Sequence, residues 1–264
     1  MSRGPARDYT ARRSLRQHLS QHRFRSPMSA LAKRSRGLKP KLIVPLENNE
    51  LPLEAFPALQ RLGCKHGFVR RIPGIELSHD KATVLENLDQ VHREAKRALG
   101  LIDRKFVSAR QVHGDKIAVI DSVPAGDKCF EGCDGLITNQ RDVCLGVYVA
   151  DCCAIFLVDQ DARAIGLVHS GKKGTALGIA RKAIEQLRQV FGIEPRDLIA
   201  QLSPCIRPPH YEIDFAAEIA RQCRDAGVKK IHDSGVCTAC DLEHYYSYRA
   251  EKGRTGRMLA LLAL

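Results

Sequence analysis

Three stretches of this 264-residue chain end an apolar run on a group that can ionise or ligate: "RQVHG" with His113, "VYVADCC" with Cys152 and "AIGLVHS" with His169. If the three strands lie side by side, their ends bring two imidazoles and a thiolate to one edge of a sheet. That is the donor set of a metal site with three protein ligands. The spacing is not a local signature such as CxxC or HExxH. Taken singly, each residue reads more readily as a small buried thiol or as a strand-end histidine held by a hydrogen bond. Strand alternation turns Asp151, which precedes Cys152, to the opposite face, where its carboxylate is expected to hydrogen-bond locally.

The stretch "HSGKKGT", His169 to Thr175, reads as a glycine-rich turn between a strand and a helix, whose free N–H groups would face an anion. Gly171 and Gly174 permit close approach and Lys173 adds a cation; the plainer alternative is a connection with two solvated lysines. It is not a Walker motif, which needs GxxxxGK followed by Ser or Thr. Cys237 and Cys240 form a CxxC, and Cys129 and Cys133 a CxxxC in an expected loop. These four read as free thiols outside the site. Two histidines and a cysteine are also the trigonal ligands of blue copper. A multicopper oxidase, however, needs further histidines, usually as HxH, and none of the ten histidines stands in such a pair.

The elements that must position these residues follow from periodicity. "KATVLENLDQVHREAKRALG" predicts a helix closed by Gly100. "FVSARQVHG" and "KIAVID" read as strands around a turn at His113 to Asp115, and "CDGLITN", "VCLGVYVADCC", "AIFLVD" and "AIGLVHS" as further strands. "GTALGIARKAIEQLRQVFG" predicts one amphipathic helix with Leu177, Ala180, Ile184, Leu187 and Phe191 on its apolar face. "KLIVPL" and "DLIAQL" add strands and "DFAAEIARQCRDAG" a helix. The sum is an α/β fold, a mixed β-sheet layered with α-helices, in one domain over residues 41–264.

Composition agrees with a globular chain, at 44% hydrophobic and 27% charged residues. A net charge of +12 would suggest a nucleic-acid partner, but +10 of it falls in residues 1–40, where Asp8 is the one acid among eleven Lys and Arg. The rest is nearly neutral, so the charge describes a tail rather than a groove. That tail reads as disordered, or as sequence upstream of a start at Met28; nucleic acid would be bound only through it. No apolar run reaches the length of a membrane span. Ten cysteines without a secretory signal read as reduced thiols, which points to the cytoplasm.

Six ordered motifs carry a family resemblance: "QVHG" (residues 111–114), "DGLIT" (134–138), "ADC" (150–152), "HSGKKGT" (169–175), "SPCI" (203–206) with "CT" (237–238), and "YYSYR…TGRM" (245–258). From about Cys64 to the C-terminus the chain resembles the multicopper polyphenol oxidase or laccase-domain family. Members of that family are also described as zinc-dependent purine nucleoside phosphorylases and as peptidoglycan editing factors. The resemblance implies a laccase-domain (cysteine-hydrolase-like) fold with Zn2+ on His113, Cys152 and His169, copper being the weaker expectation. It implies cleavage of adenosine, inosine or methylthioadenosine by phosphate, with adenosine deamination as a further reaction. Arg110, Gln111 and Lys173 are then the substrate-binding residues, with phosphate on Lys173, Arg110 and the helix N-terminus. Two other readings use the same ligands: a hydrolase or amidase with Cys152 as nucleophile acting on a peptidoglycan precursor, and a polyphenol oxidase. The chain departs from the family's "HAGWRGT" in having Lys172 and Lys173 for Trp and Arg, and it contains no Trp. Lys173 offers phosphate a point charge rather than a planar fork, and the indole expected to stack on a base is missing.

Overall fold

The computed structural model describes residues 51–264; the basic tail over residues 1–40 and the strand expected in "KLIVPL" lie outside the described residues. β1 (Leu53–Glu54), α1 (Pro57–Gln60), β2 (Lys65–Val69) and α2 (Lys81–Ala98) come first. They are followed by β3 (Lys105–Arg110), β4 (Ile117–Ile120), β5 (Lys128–Glu131), β6 (Gly135–Thr138), β7 (Val143–Val149), β8 (Cys153–Asp159) and β9 (Ile165–Ser170). The last elements are α3 (Lys172–Ala176), α4 (Ile179–Phe191), β10 (Leu198–Leu202), α5 (Phe215–Asp225), β11 (Lys230–Asp233) and β12 (Met258–Ala263).

The strands form two six-stranded sheets rather than the one expected, in the orders β1-β2-β12-β7-β3-β5 and β11-β10-β8-β9-β6-β4. Both are mixed: β3 runs parallel to β7 and β5, whereas β12 is antiparallel to β2 and β7. Alternate residues of each strand serve different layers. Phe68, Val107, Leu145, Val147 and Ala260 of the first sheet meet Ala154, Phe156, Val158 and Leu167 of the second in the central core. The odd-numbered partners on β8, Cys153, Ile155 and Leu157, pack instead under Ile184 and Leu187 of α4 and Ile219 of α5. On the far side, Leu259 and Leu261 of β12 lie under Val84, Leu88 and Ala95 of α2. The layers therefore run helix, sheet, sheet, helix. A strand covered on both faces shows no polar alternation, so apolar runs cannot tell one buried sheet from two.

Helix α2 starts where the Asp80 carboxylate accepts from Thr83 N at 2.8 Å, and Gly100 follows its end with φ 65°. The helix expected from Gly174 onward is divided. Gly178 has φ 75° and separates the five-residue α3 from α4, which leaves Leu177 at the surface rather than on the apolar face. β12, in "MLALLA", was not foreseen as a strand although it is the third strand of its sheet. No helix among the described residues is long and apolar enough to cross a membrane.

The segment before α2 is fastened to the C-terminal block by Tyr246, which is fully buried. Its hydroxyl accepts from Ile72 N at 3.1 Å and donates to Ile72 O at 3.2 Å, while the Arg71 guanidinium lies 4.8 Å over its ring. Tyr246→Phe keeps the ring and strands both backbone groups of buried Ile72. A loss of about 1–3 kcal/mol in urea unfolding is expected; an unchanged midpoint would show that the block is held by packing alone.

Candidate metal centre

The chain crosses from the first sheet to the second three times at the same end of the molecule. Residues 111–116 leave β3 and enter β4, residues 132–134, with Asp134, lead from β5 to β6, and residues 150–152 lead from β7 to β8. β3 and β7 are parallel neighbours, and β7 packs on β9 across the sheet interface. The first and last of these crossings and the end of β9 therefore meet. They bring ligand atoms of His113, Cys152 and His169 within 4.8 Å of one another, the one such group of three among the described residues. The two imidazoles meet edge to face at 4.9 Å between centroids. The predicted convergence holds, but between two sheets rather than along one edge.

Asp134, at the start of β6, organises the cluster. Fully buried, it accepts from the backbone N of Val112 (3.2 Å), His113 (2.9 Å) and Gly114 (2.7 Å), and its Oδ1 lies 2.8 Å from His169 Nδ1. With Nδ1 occupied, Nε2 is the nitrogen His169 can offer a metal, in the carboxylate–histidine arrangement common around metals. Burial by itself would raise the Asp134 pKa; the bonds from His169 and the Gly114 and Val112 amides, with the His169 charge, lower it to about 2. Burial would likewise raise the Cys152 thiol, but the His169 charge and hydrogen bonds from both imidazoles lower it to about 6. Against burial, the Cys152 charge and Asp134 raise His169 to about 9. The cluster thus favours a thiolate, the form that ligates or attacks. In the sequence Asp134 stands out only as an acid opening the apolar run 135–137, a place where a carboxylate is unusual.

Asp151 is not in the cluster, as anticipated, though for a different reason. Its φ of 81° breaks the strand alternation, and its bonds are long-range: Oδ1 accepts from Thr238 Oγ1 at 2.8 Å and Oδ2 from Arg249 N at 2.7 Å. Gly171 is there because of the thiol. A Cβ at this position would stand 2.5 Å from Cys152 Sγ.

A cleft of about 1050 Å³ opens over the cluster, lined by Gln111, Tyr148, Tyr211, Phe215 and Tyr248 among others, and by the cations Lys81, Lys172, Lys173, Arg249, Lys252 and Arg257. Of the expected substrate-binding residues, Lys173 lines it. Gln111 does so too, but its amide is engaged with Tyr148, donating to O at 2.7 Å and accepting from N at 3.3 Å. Arg110 is not among the lining residues; its guanidinium pairs with Glu131 on β5 at 3.3 Å. Lys172, at the family's Trp position, pairs with Glu212 at 3.0 Å. Cys129 stands on strand β5 rather than in a loop, Cys133 is buried, and neither joins Cys237 and Cys240 in a ligand group.

Asp134→Asn should weaken metal binding about 10–100-fold, the usual cost of losing a partner that orients a ligand, read by competition with a chelator. Gly171→Ala should weaken it further by displacing the sulfur itself. Unchanged affinity in both variants would mean that neither contact positions the ligands.

The family model described as "Multi-copper polyphenol oxidoreductase laccase" matches residues 73–220 and 211–264. A purine nucleoside phosphorylase of Corynebacterium glutamicum is 32% identical, over 63% of this chain and 77% of that protein. One of Deinococcus radiodurans is 30% identical, over 81% and 93%. The crystal structure of YlmD from Geobacillus stearothermophilus superposes with a TM-score of 0.67 at 25% identity, covering 79% of this chain and 93% of that one. The chain belongs to the multi-copper polyphenol oxidoreductase laccase family, the laccase-domain proteins.

Proposed function

We propose that the chain is a zinc-dependent purine nucleoside phosphorylase acting on adenosine, inosine or methylthioadenosine, with adenosine deamination as a further reaction. The observation that carries this reading is the His113–Cys152–His169 cluster beneath a cleft that combines aromatic rings with cations. The relatives' names point the same way. Two imidazoles and a thiolate suit zinc. They do not suit a multicopper oxidase, since the described residues offer one ligand cluster where that chemistry needs several. When bound, zinc would supply Lewis acidity and, for deamination, activation of water.

The protein's own groups do the rest. Tyr148, Tyr211, Phe215 and Tyr248 provide faces for a purine, and the cleft's excess of cations suits phosphate. A phosphate oxygen attacks C1′ of the sugar as the C1′–N9 bond breaks and its electron pair leaves with the base, which takes up a proton. Asp134 keeps His169 in one tautomer and His113 on its turn, so the site need not reorganise as charge develops. This reading places the protein in a reducing, cytoplasmic setting, where cysteine ligands stay thiols.

A second reading rests on Cys152, His169 and Asp134, which also stand as nucleophile, base and orienting carboxylate of a cysteine hydrolase. Metal separates the two, because a zinc-bound thiolate is not free to attack. Elemental analysis should find about one zinc per chain, and base release from the three nucleosides should require phosphate. Cys152→Ala should abolish both. Metal-free protein that cleaves a substrate without phosphate would replace the phosphorylase with the hydrolase.

A further inference from the structure

We propose that Lys81 and Arg257 together form the oxyanion seat of the cleft, the place where inorganic phosphate binds, rather than the glycine-rich turn that bears Lys173. The assignment takes its ligand from the phosphorylase reading and deepens it. It begins with how each lining cation is compensated. Lys172 and Arg249 share Glu212, at 3.0 Å and 2.9 Å. Lys173 and Lys252 are exposed, so water solvates them. Lys81 and Arg257 are half-buried and have no carboxylate within ion-pair distance among the described residues. Buried cations are normally paired, and these two leave the requirement to something else.

The two come from distant parts of the sequence. Lys81 is the first residue of α2, and Arg257 immediately precedes β12. Arg257 donates from Nη1 to Gly256 O at 2.7 Å, and its guanidinium lies 5.8 Å over the Tyr248 ring. Its remaining N–H donors have no partner among the described residues, and a planar fork of donors matches a phosphate oxyanion. Burial, then the charge of Arg257, lowers the Lys81 pKa; burial also lowers that of Arg257, with the charge of Cys152 among the opposing influences. Both cations line one cleft and are partly withdrawn from water, so a doubly charged anion held by both would relieve the cost each carries. His113, Cys152 and His169 line the same cleft, so an anion held there shares the space over the metal cluster, where an attacking phosphate has to be. The same chemistry would accept the phosphoryl group of a nucleoside 5′-monophosphate, so the test includes one. The α3 turn is the weaker candidate: its helix has five residues, and its lysines are at the surface or paired with Glu212.

The test uses zinc-loaded full-length protein carrying Lys81→Met, Arg257→Gln, Arg257→Lys or Lys173→Ala. Metal content and the unfolding midpoint without phosphate serve as fold controls. Two quantities are read: KM for phosphate against KM for nucleoside, and thermal stabilisation by inorganic phosphate or adenosine 5′-monophosphate without a second substrate. Lys81→Met and Arg257→Gln should each raise the phosphate KM about tenfold or more and shift the stabilising phosphate concentration by a similar factor, with little change in nucleoside KM. Arg257→Lys should recover part of the loss. If Lys173→Ala moves the phosphate KM and the other variants do not, the seat is the glycine-rich turn and the phosphorylase reading survives. If the parent shows no phosphate-dependent turnover, that reading fails. The seat is then decided by binding alone, and stabilisation of the parent that is lost in the Lys81 and Arg257 variants supports it. Stabilisation by the monophosphate but not by phosphate assigns the seat to a substrate phosphoryl group and overturns inorganic phosphate as its ligand. A parent stabilised by neither anion overturns the proposal outright.

Discussion

A carboxylate sealed away from water must be met by donors, and Asp134 meets that demand with groups from two directions. Three consecutive amides of the turn between β3 and β4 point at it, and so does Nδ1 of His169 on β9. One side chain therefore fixes where the first crossing between the sheets is anchored and which way the β9 histidine faces. Asp151 does the corresponding work at the crossing from β7 to β8, where Thr238 and the Arg249 amide are its donors. Two buried acids, neither of them in the His113–Cys152–His169 cluster, set the geometry of the three candidate ligands.

This arrangement explains a local irregularity. His113 and Asp151 have φ of 58° and 81°, a region that non-glycine residues enter at a cost of about 1–3 kcal/mol each. Hydrogen bonds to a charged carboxylate return an amount of the same order, and each strained residue has them: Asp134 receives the amide of His113, and Asp151 receives Thr238 and Arg249. The strain turns the backbone out of one sheet and into the other within a few residues, with the ligand at or next to the bend. A relaxed strand end would carry the side chain along the sheet instead of into the gap between sheets.

The ligands were legible because an ionisable group at the end of an apolar run is unusual wherever it falls. The two-sheet architecture was not, since β8 and β9 are buried on both faces and lack the alternation that would show how many layers cover them. β12 was missed because Met, Leu and Ala favour helices; its place between β2 and β7 overrides that preference. The break at Gly178 was hidden by an apolar spacing that runs through it, from Leu177 to Ala180. Arg110 was placed near phosphate because it adjoins "QVHG", yet the partner across the sheet, Glu131, claims it. Lys81 and Arg257 illustrate the limit: no local pattern links them, and only the fold shows that neither has a carboxylate partner among the described residues.

The replacement of the family's Trp and Arg by Lys172 and Lys173 gains a physical context at the cleft mouth. Glu212 pairs with both Lys172 and Arg249, and the Arg249 guanidinium lies 4.8 Å over the Tyr211 ring. Three segments, α3, the loop before α5 and the C-terminal block, are thus joined by one acid and one cation–π contact. Tyr211 in turn meets Phe215 edge to face at 5.8 Å. An aromatic surface is therefore present without an indole, supplied by the entry to α5 rather than by the glycine-rich turn. If a purine binds here, it has rings to stack on, and the turn is left to hold α3 close to the thiolate through Gly171. The substitution at position 172 then changes how the mouth is fastened, while the ligand geometry, which depends on Asp134, Asp151 and Gly171, is unaffected by it.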